Sequence, residues 1–371
     1  MLKNKIISMA AVVLLSSSQS FSGGWEKVVF WSGEANGRAG AAVSSVTDSS
    51  ALFLNPGALS ENHVGVNVSG LFSTFTFNGV DSLSGFSTPG AIHGSFRLND
   101  QLTLGVGAAV IGGTNTDYDG KVGVTLGLVD SSVSRFVQAG LGLAYRCSAN
   151  WSVGLGWYAT MASWEAGIDL SGSGIADYKY DGTSFVGFRV GAHYAADNFG
   201  FGINVRTPVA NDAKADGTAL MTSAGAINEI AMDLPTVVSA GMHGTHSKTT
   251  YHSQITWKNY GANDGITGLT APWSDEFIVR LGTDYQLNEM MDLRFGYAVS
   301  SQVTSDASLA TDVTRAVAST PGVAQGVTLG AGLNFGKLEL DLAADYSWVA
   351  NKTPEHESKS FGIHTGLGLN F

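Results

Sequence analysis

The sequence predicts an all-β fold, a transmembrane antiparallel β-barrel of about fourteen strands with an N-terminal hatch plugging the lumen. Three observations carry this reading. From Val64 onward, segments of about ten residues set large apolar side chains on one parity against glycine or polar residues on the other. The second parity is rich in glycine and poor in charge, whereas the outer face of a soluble sandwich, the rival all-β fold, would be dense in Lys, Glu and Thr. The segments also exceed the usual five or six residues of a globular strand and match the roughly 9 to 11 that a tilted strand needs to cross a bilayer.

The pattern is clearest from Trp151 to Ser163, where Trp151, Val153, Leu155, Trp157, Ala159 and Met161 alternate with Ser152, Gly154, Gly156, Tyr158 and Thr160. Leu293/Phe295/Tyr297/Val299 and Leu338/Leu340/Leu342/Ala344/Tyr346/Trp348 repeat it. Candidate strands span 64–77, 88–98, 102–111, 133–146, 151–164, 184–195, 199–206, 234–243, 249–258, 276–286, 292–299, 326–335, 337–348 and 360–371, an even number, as bacterial barrels require. Short turns (Asn99-Asp100, Ser148-Ala149-Asn150, Asp197-Asn198, Asn288-Glu289) take turns with longer loops (112–132, 165–183, 207–233, 259–275, 300–325). Short turns belong at the periplasmic rim, so both termini are expected in the periplasm of a Gram-negative cell. Tyr145, Trp151, Tyr285, Tyr346 and Trp348, near strand ends, suit interfacial girdles.

Ahead of the first strand, Lys3 and Lys5, the apolar run Ile6 to Leu15 and a small-residue stretch ending at Ser22 read as a secretory signal peptide over 1–22. A hatch over 23–62 and a barrel over 63–371 complete the expected division. No other stretch supplies the roughly 20 apolar residues of a membrane helix. The 371 residues carry a formal charge of -11 and no Lys/Arg cluster, which argues against a nucleic-acid partner. Cys147 is the only cysteine, so neither an intrachain disulfide nor a cysteine metal cluster is available.

The hatch is the one early segment without alternation. Small residues from Gly40 to Ser50 could thread a narrow space, and Asn55-Pro56-Gly57 makes a sharp turn, because proline fixes φ and biases Asn55 away from helix. Trp25, Val28, Val29, Phe30 and Trp31 form an apolar cluster before it, as a plug core or as the lining of an apolar ligand pocket. No catalytic constellation stands out: Gly172-Ser173-Gly174 lacks the nucleophile-elbow spacing, and the histidines, including His193, His243, His246, His252 and His364, are scattered, so no metal or cofactor is called for. The lumenal charges Arg189, Glu276, Arg280, Asp284, Asp292, Arg294, Glu339, Asp341 and Asp345 have mixed signs, which suits a paired network anchoring the hatch. Arg189 and Arg280 are candidates to meet a ligand carboxylate.

Gly37-Arg38-Ala39-Gly40, Asp48 and the Asn55-Pro56 turn, with Gly57 where alanine is usual, resemble the N-terminal hatch of the FadL/TodX family of outer-membrane channels for long-chain fatty acids and hydrocarbons. The blocks Phe199 to Val209, Leu234 to Gly261 and Phe277 to Val299 extend the likeness over nearly the whole chain. The resemblance implies passive uptake of a hydrophobic molecule, bound in a lumenal pocket lined by the amino-terminal segment, released when the hatch moves and discharged sideways into outer-membrane lipid. It also implies a kink in the third strand that opens the wall, for which Gly105, Gly107, Gly112 and Gly113 are the candidates. The last strand ends on Phe371, similar to the signal read by the barrel assembly machinery. On this reading apolar loop patches at Ile266 to Trp273 and Ala316 to Val323 collect the ligand first. A general porin for small hydrophilic solutes is the alternative, and an outer-membrane enzyme would need a Ser-His or Asp-His grouping near the extracellular rim.

Overall fold

The computed structural model describes residues 31–77, 80–82, 85–118, 129–168, 175–222, 225–262, 273–303, 322–350 and 357–371. Fourteen long strands form the wall: β1 (His63–Phe77), β2 (Gly90–Arg97), β3 (Leu102–Asp117), β4 (Val129–Arg146), β5 (Trp151–Ile168), β6 (Ala176–Ala196), β7 (Phe199–Arg206), β8 (Val237–His246), β9 (Thr249–Lys258), β10 (Glu276–Asn288), β11 (Met291–Ser300), β12 (Val323–Asn334), β13 (Leu338–Ala350) and β14 (Glu357–Asn370). Each pairs antiparallel with its sequence neighbours, and β1 closes on β14 from His63↔Asn370 to Thr76↔Glu357. Closure leaves no sheet edge, so the backbone hydrogen bonds of the wall are satisfied within it.

The predicted parity is the observed one. Trp151, Val153, Leu155, Trp157 and Met161 of β5 point outward and are exposed, while Gly154, Gly156, Tyr158 and Thr160 face the bore and are buried. The expected girdle residues Tyr145, Trp151, Tyr285 and Tyr346 are likewise exposed on the outer face.

Two expected loops carry strand at both ends. The ladder of β3 and β4 continues to Asp117↔Ser131, and that of β5 and β6 to Ile168↔Ala176, inside the stretches 112–132 and 165–183. Those extensions read Thr-Asn-Thr-Asp and Ala-Asp-Tyr-Lys. Without an apolar outer parity they give no alternation signal, yet backbone pairing does not depend on one. The eighth strand, expected over 234–243, instead begins after Pro235, which lacks an N–H for the ladder.

A bore of this size sits between barrels that side chains fill and porins that leave a channel, so it needs a plug. Residues 31–62 provide it. They contain a short helix α1 (Gly33–Gly37), a second helix α2 (Ala51–Leu54) and a 3-10 turn Pro56–Ala58. Ser32 caps α1 by accepting from Ala35 N (3.1 Å), and Asn55 caps the 3-10 turn by accepting from Gly57 N (3.1 Å).

The hatch rests on a ring of wall glycines. Pro56-Gly57 lies on Gly154 and Gly191, Val43 on Gly202 and Gly241, Arg38 and Ala39 on Gly282 and Gly296, and Gly37 on Gly330. Leu52 and Leu59 lie on Gly105 and Gly142. Each of these wall glycines stands three to six residues from the short-turn end of its strand, from Gly105 (three past Leu102) to Gly282 (six before Asn288). A Cβ at Gly154, Gly191, Gly202 or Gly296 would overlap hatch atoms outright. The glycine-rich inner parity is therefore a seat, shaped so that a second chain segment fits at backbone distance.

Gly202→Val is expected to leave the barrel closed but to unseat the hatch by about 1–3 kcal/mol, the usual range for overpacking. Hydrogen exchange over residues 42–46 checks this, and undiminished protection there would refute the seat.

Candidate functional site

On the long-loop side of the glycine ring the hatch forms the floor of a cavity of about 80 Å³. Trp31, Val43, Phe53, Leu54 and Ile111 line it on one side, and Arg189, Asn204, Arg206, Gln254, Thr256, Lys258 and Arg280 on the other. The two halves follow from the wall. On β3 to β6 the inward parity carries Phe136, Ala144, Tyr158, Ala162, Trp164 and Tyr180, packed with Trp31, Leu52, Phe53 and Leu59 into one apolar core. The polar and charged lining comes from Arg189 of β6 and from β7 to β10. Trp31 meets Phe53 with ring centroids 6.0 Å apart, and Phe53 meets Tyr158 at 5.9 Å.

The cations are held in place. Arg189 donates to Phe53 O at the end of α2 and lies 5.4 Å over the Tyr158 ring, whose hydroxyl donates to Leu52 O. Arg206 donates to Pro235 O (2.7 Å) and Arg280 to Thr256 Oγ1 (3.1 Å). Lys258 Nζ pairs with Glu276 at 2.9 Å, which Ser300 supports from β11. Arg189, Arg206, Lys258 and Arg280 thus face the cavity opposite an apolar floor, Lys258 paired with Glu276.

The hatch itself is tied by polar contacts. Gln254 Oε1 accepts from Ala42 N and Val43 N (both 3.0 Å), and Asn55 Nδ2 donates to Val43 O (2.9 Å) and Ala192 O (3.0 Å). Arg38 of the Gly-Arg-Ala-Gly motif pairs with Glu34 one turn back and with Asp284 of β10 (3.1 Å), while Arg294 pairs with Asp341. Burial lifts the Glu34 carboxyl to about 7 against the pull of Arg38 and Arg294. This is the anchoring network expected of the lumenal charges.

Of the predicted site residues, Trp31, Arg189 and Arg280 share the cavity, Asn55-Pro56-Gly57 lies against β5 and β6, and Gly105 meets Leu59 and Leu52. Trp25, Val28, Val29 and Phe30 lie outside the described residues, as do most of the loop patches; Trp273 is buried against Tyr260 and is no collecting surface. Gly107 packs on His93, and Gly112 and Gly113 follow a bulge at Ile111, where pairing with β4 steps from Val110↔Val137 to Gly112↔Phe136. The β2–β3 ladder ends just before it, at Ala91↔Ala109. Ile111 therefore belongs both to the cavity lining and to the bulge in β3. Phe53, Leu54, Ile111, Arg206 and Lys258 were missed. The bulky pair in an otherwise small-residue hatch was the legible signal for Phe53 and Leu54.

The loop after β7 folds inward over the long-loop end. Asp212–Ala215 pairs with β6 and with Glu229–Ala231, and Val209, Ala213, Ile230, Met232 and Leu234 are fully buried against the aromatic wall. Tyr180 Oη donates to Ile227 O (2.7 Å) and accepts from Leu220 N (2.9 Å). A serine–histidine–aspartate chain is also present: Asp345 Oδ1 lies 2.5 Å from His364 Nε2, and His364 Nδ1 2.7 Å from Ser69 Oγ. All three are buried in mid-strand, and Ser69 N donates to Pro89 O (2.8 Å), so that amide is spent on the wall and offers no oxyanion donor.

Residues 13–367 match the family described as outer membrane protein transport protein (OMPP1/FadL/TodX). The chain belongs to the FadL/TodX family. Its fold is similar to that of a FadL homologue from Pseudomonas aeruginosa (TM-score 0.77, 16% identity, 94% of this chain and 100% of that one). The toluene transporter TodX of P. putida (TM-score 0.67, 16% identity, 91% and 97%) and the monoaromatic hydrocarbon channel CymD (0.62, 15%, 94% and 98%) share it too. No curated protein sequence matches the chain significantly. As a family member it is an outer-membrane channel for transport of hydrophobic compounds in a Gram-negative bacterium.

Asn55→Ala removes three hatch hydrogen bonds and is expected to destabilise the seated hatch by about 1–3 kcal/mol while the barrel stays closed. The measurement is protease cleavage within residues 40–60 of the folded protein; cleavage no faster than in the native chain would refute the assignment.

Proposed function

We propose that the channel passively takes up an amphiphile with an apolar tail and an acidic head, a long-chain fatty acid rather than a neutral hydrocarbon. The observation that carries this is the cavity over the hatch, apolar on the side of Trp31, Phe53, Leu54 and Ile111 and cationic on the side of Arg189, Arg206, Lys258 and Arg280. A tail buried there gains roughly 25 cal/mol per Å² of apolar area, and a carboxylate in the same space gains charge-assisted hydrogen bonds. Trp25, Val28, Val29 and Phe30 would extend the apolar side, as their position before Trp31 suggests.

The rest of the mechanism follows from this reading. The leader 1–22 directs export, the barrel assembly machinery inserts the barrel with both termini in the periplasm, and the segment 23–62 acts as the moving hatch. When the hatch shifts, the ligand leaves past the bulge at Ile111, where the cavity abuts the end of the β2–β3 ladder, into surrounding lipid. Gly112 and Gly113 let β3 bend there; Gly113 has φ 151°, which β-carbon-bearing residues rarely adopt. No cofactor or catalysis takes part, and the Ser69–His364–Asp345 chain serves as a structural strut.

Arg280→Met is expected to weaken palmitate binding by about 1.5–3 kcal/mol, the worth of a hydrogen bond to a charged group, and to leave toluene binding unchanged. Calorimetry on the purified protein tests this; equal effects on both ligands, or none, would exclude the acidic amphiphile. Large steady single-channel currents with the hatch in place would instead favour a hydrophilic porin and overturn the uptake reading.

A further inference from the structure

Near the short-turn end the hatch segment between Ser44 and Ser50 is gripped by histidines from the wall. The tightest grip is on Ser49. Its backbone N–H donates to His63 Nδ1 (3.2 Å), and its Oγ lies 2.6 Å from both His63 Nδ1 and His93 Nδ1. Asn67 Nδ2 stands 2.9 Å from His93 Nε2. All of these groups are buried.

The hydrogen directions follow from the backbone. An amide N–H only donates, so His63 Nδ1 carries a lone pair and its hydrogen sits on Nε2. His93 Nε2 lies between the Asn67 amide and the Trp31 carbonyl oxygen (3.0 Å), and the Ser49 hydroxyl bridges the two Nδ1 atoms. The chain runs from His93 through Ser49 to His63 and ends on a ring nitrogen that must be unprotonated to receive the Ser49 amide.

We propose that this chain is the release catch of the hatch, closed while His63 is neutral and opened when it takes up a second proton. His63 and His93 act as positioning residues, through Ser49. A proton on His63 Nδ1 turns the acceptor into a donor that faces the Ser49 N–H, and places a charge beside the His93 ring, 6.2 Å away between centroids. The charged groups facing the pair are Asp48 on the hatch and Glu339 on β13, with Asp341 beyond; Glu339 Oε2 lies 4.0 Å from His63 Nε2. Glu339 gives the imidazolium a partner on the wall, so protonation draws the ring away from the hatch. The released state binds the extra proton, so acid favours release. Release in this sense rests on the moving-hatch reading above.

The test uses the full chain in liposomes, with hydrogen exchange of the peptide 44–54, corrected for intrinsic rates, and palmitate and toluene binding measured alongside. The native protein is expected to lose about tenfold in protection from pH 7.5 to pH 5.5, as one proton per molecule would produce over a pH unit below the midpoint. His63→Gln, whose amide oxygen accepts from Ser49 without titrating, is expected to keep the hatch protected at both pH values. Ser49→Ala is expected to lower protection already at pH 7.5. An unchanged acid response in His63→Gln would overturn the catch, as would native protection indifferent to pH or to Ser49→Ala. A pH-responsive hatch in a protein that binds neither probe would instead overturn the uptake reading and leave the catch standing.

Discussion

The hatch backbone lies directly on wall glycines, and the rest of the structure depends on that contact. A bore of fourteen strands is too wide for wall side chains to fill and would conduct water if left alone. Small hatch residues and wall glycines remove the side chains from both surfaces at one level. Backbone then meets backbone, and Gln254 and Asn55 reach the peptide groups of the plug. Large residues are kept for the places above and below, where Phe53 and Leu54 floor the cavity and Leu52 and Leu59 wedge against Gly105 and Gly142.

The wall was legible in the sequence because lipid imposes one requirement on every other residue. All fourteen strands could be placed, with errors only where the outer parity left the apolar belt, as in Thr114 to Asp117, or where Pro235 removed a ladder donor. The cavity was less legible. Arg189 and Arg280 could be assigned to the lumen by parity, but nothing local tells which hatch residue a wall side chain meets at a separation of 136 positions, as Arg189 does Phe53. The glycines were visible as an abundance; their meaning, a seat for another segment, is a tertiary property. Ile111 could not be seen at all, since a bulge depends on the register of the neighbouring strand.

The two halves of the lumen divide the work. The apolar half packs Trp31, Phe53 and Tyr158 with the inward-folded loop after β7 into one cluster. The polar half binds the hatch through Arg38, paired with Asp284 of β10, while Arg294 and Asp341 pair across the wall beside it. The histidine contacts to Ser49 come from β1 and β2. They attach the plug at its far edge, away from the cavity, so ligand binding and plug retention fall to different side chains.

The tucked loop after β7 adds a second closure to the bore. Val209, Ile230, Met232 and Leu234 are fully buried on the long-loop side of the plug. Two apolar layers made from unrelated stretches of the chain thus lie in series, so the filling of the lumen does not rest on the plug alone.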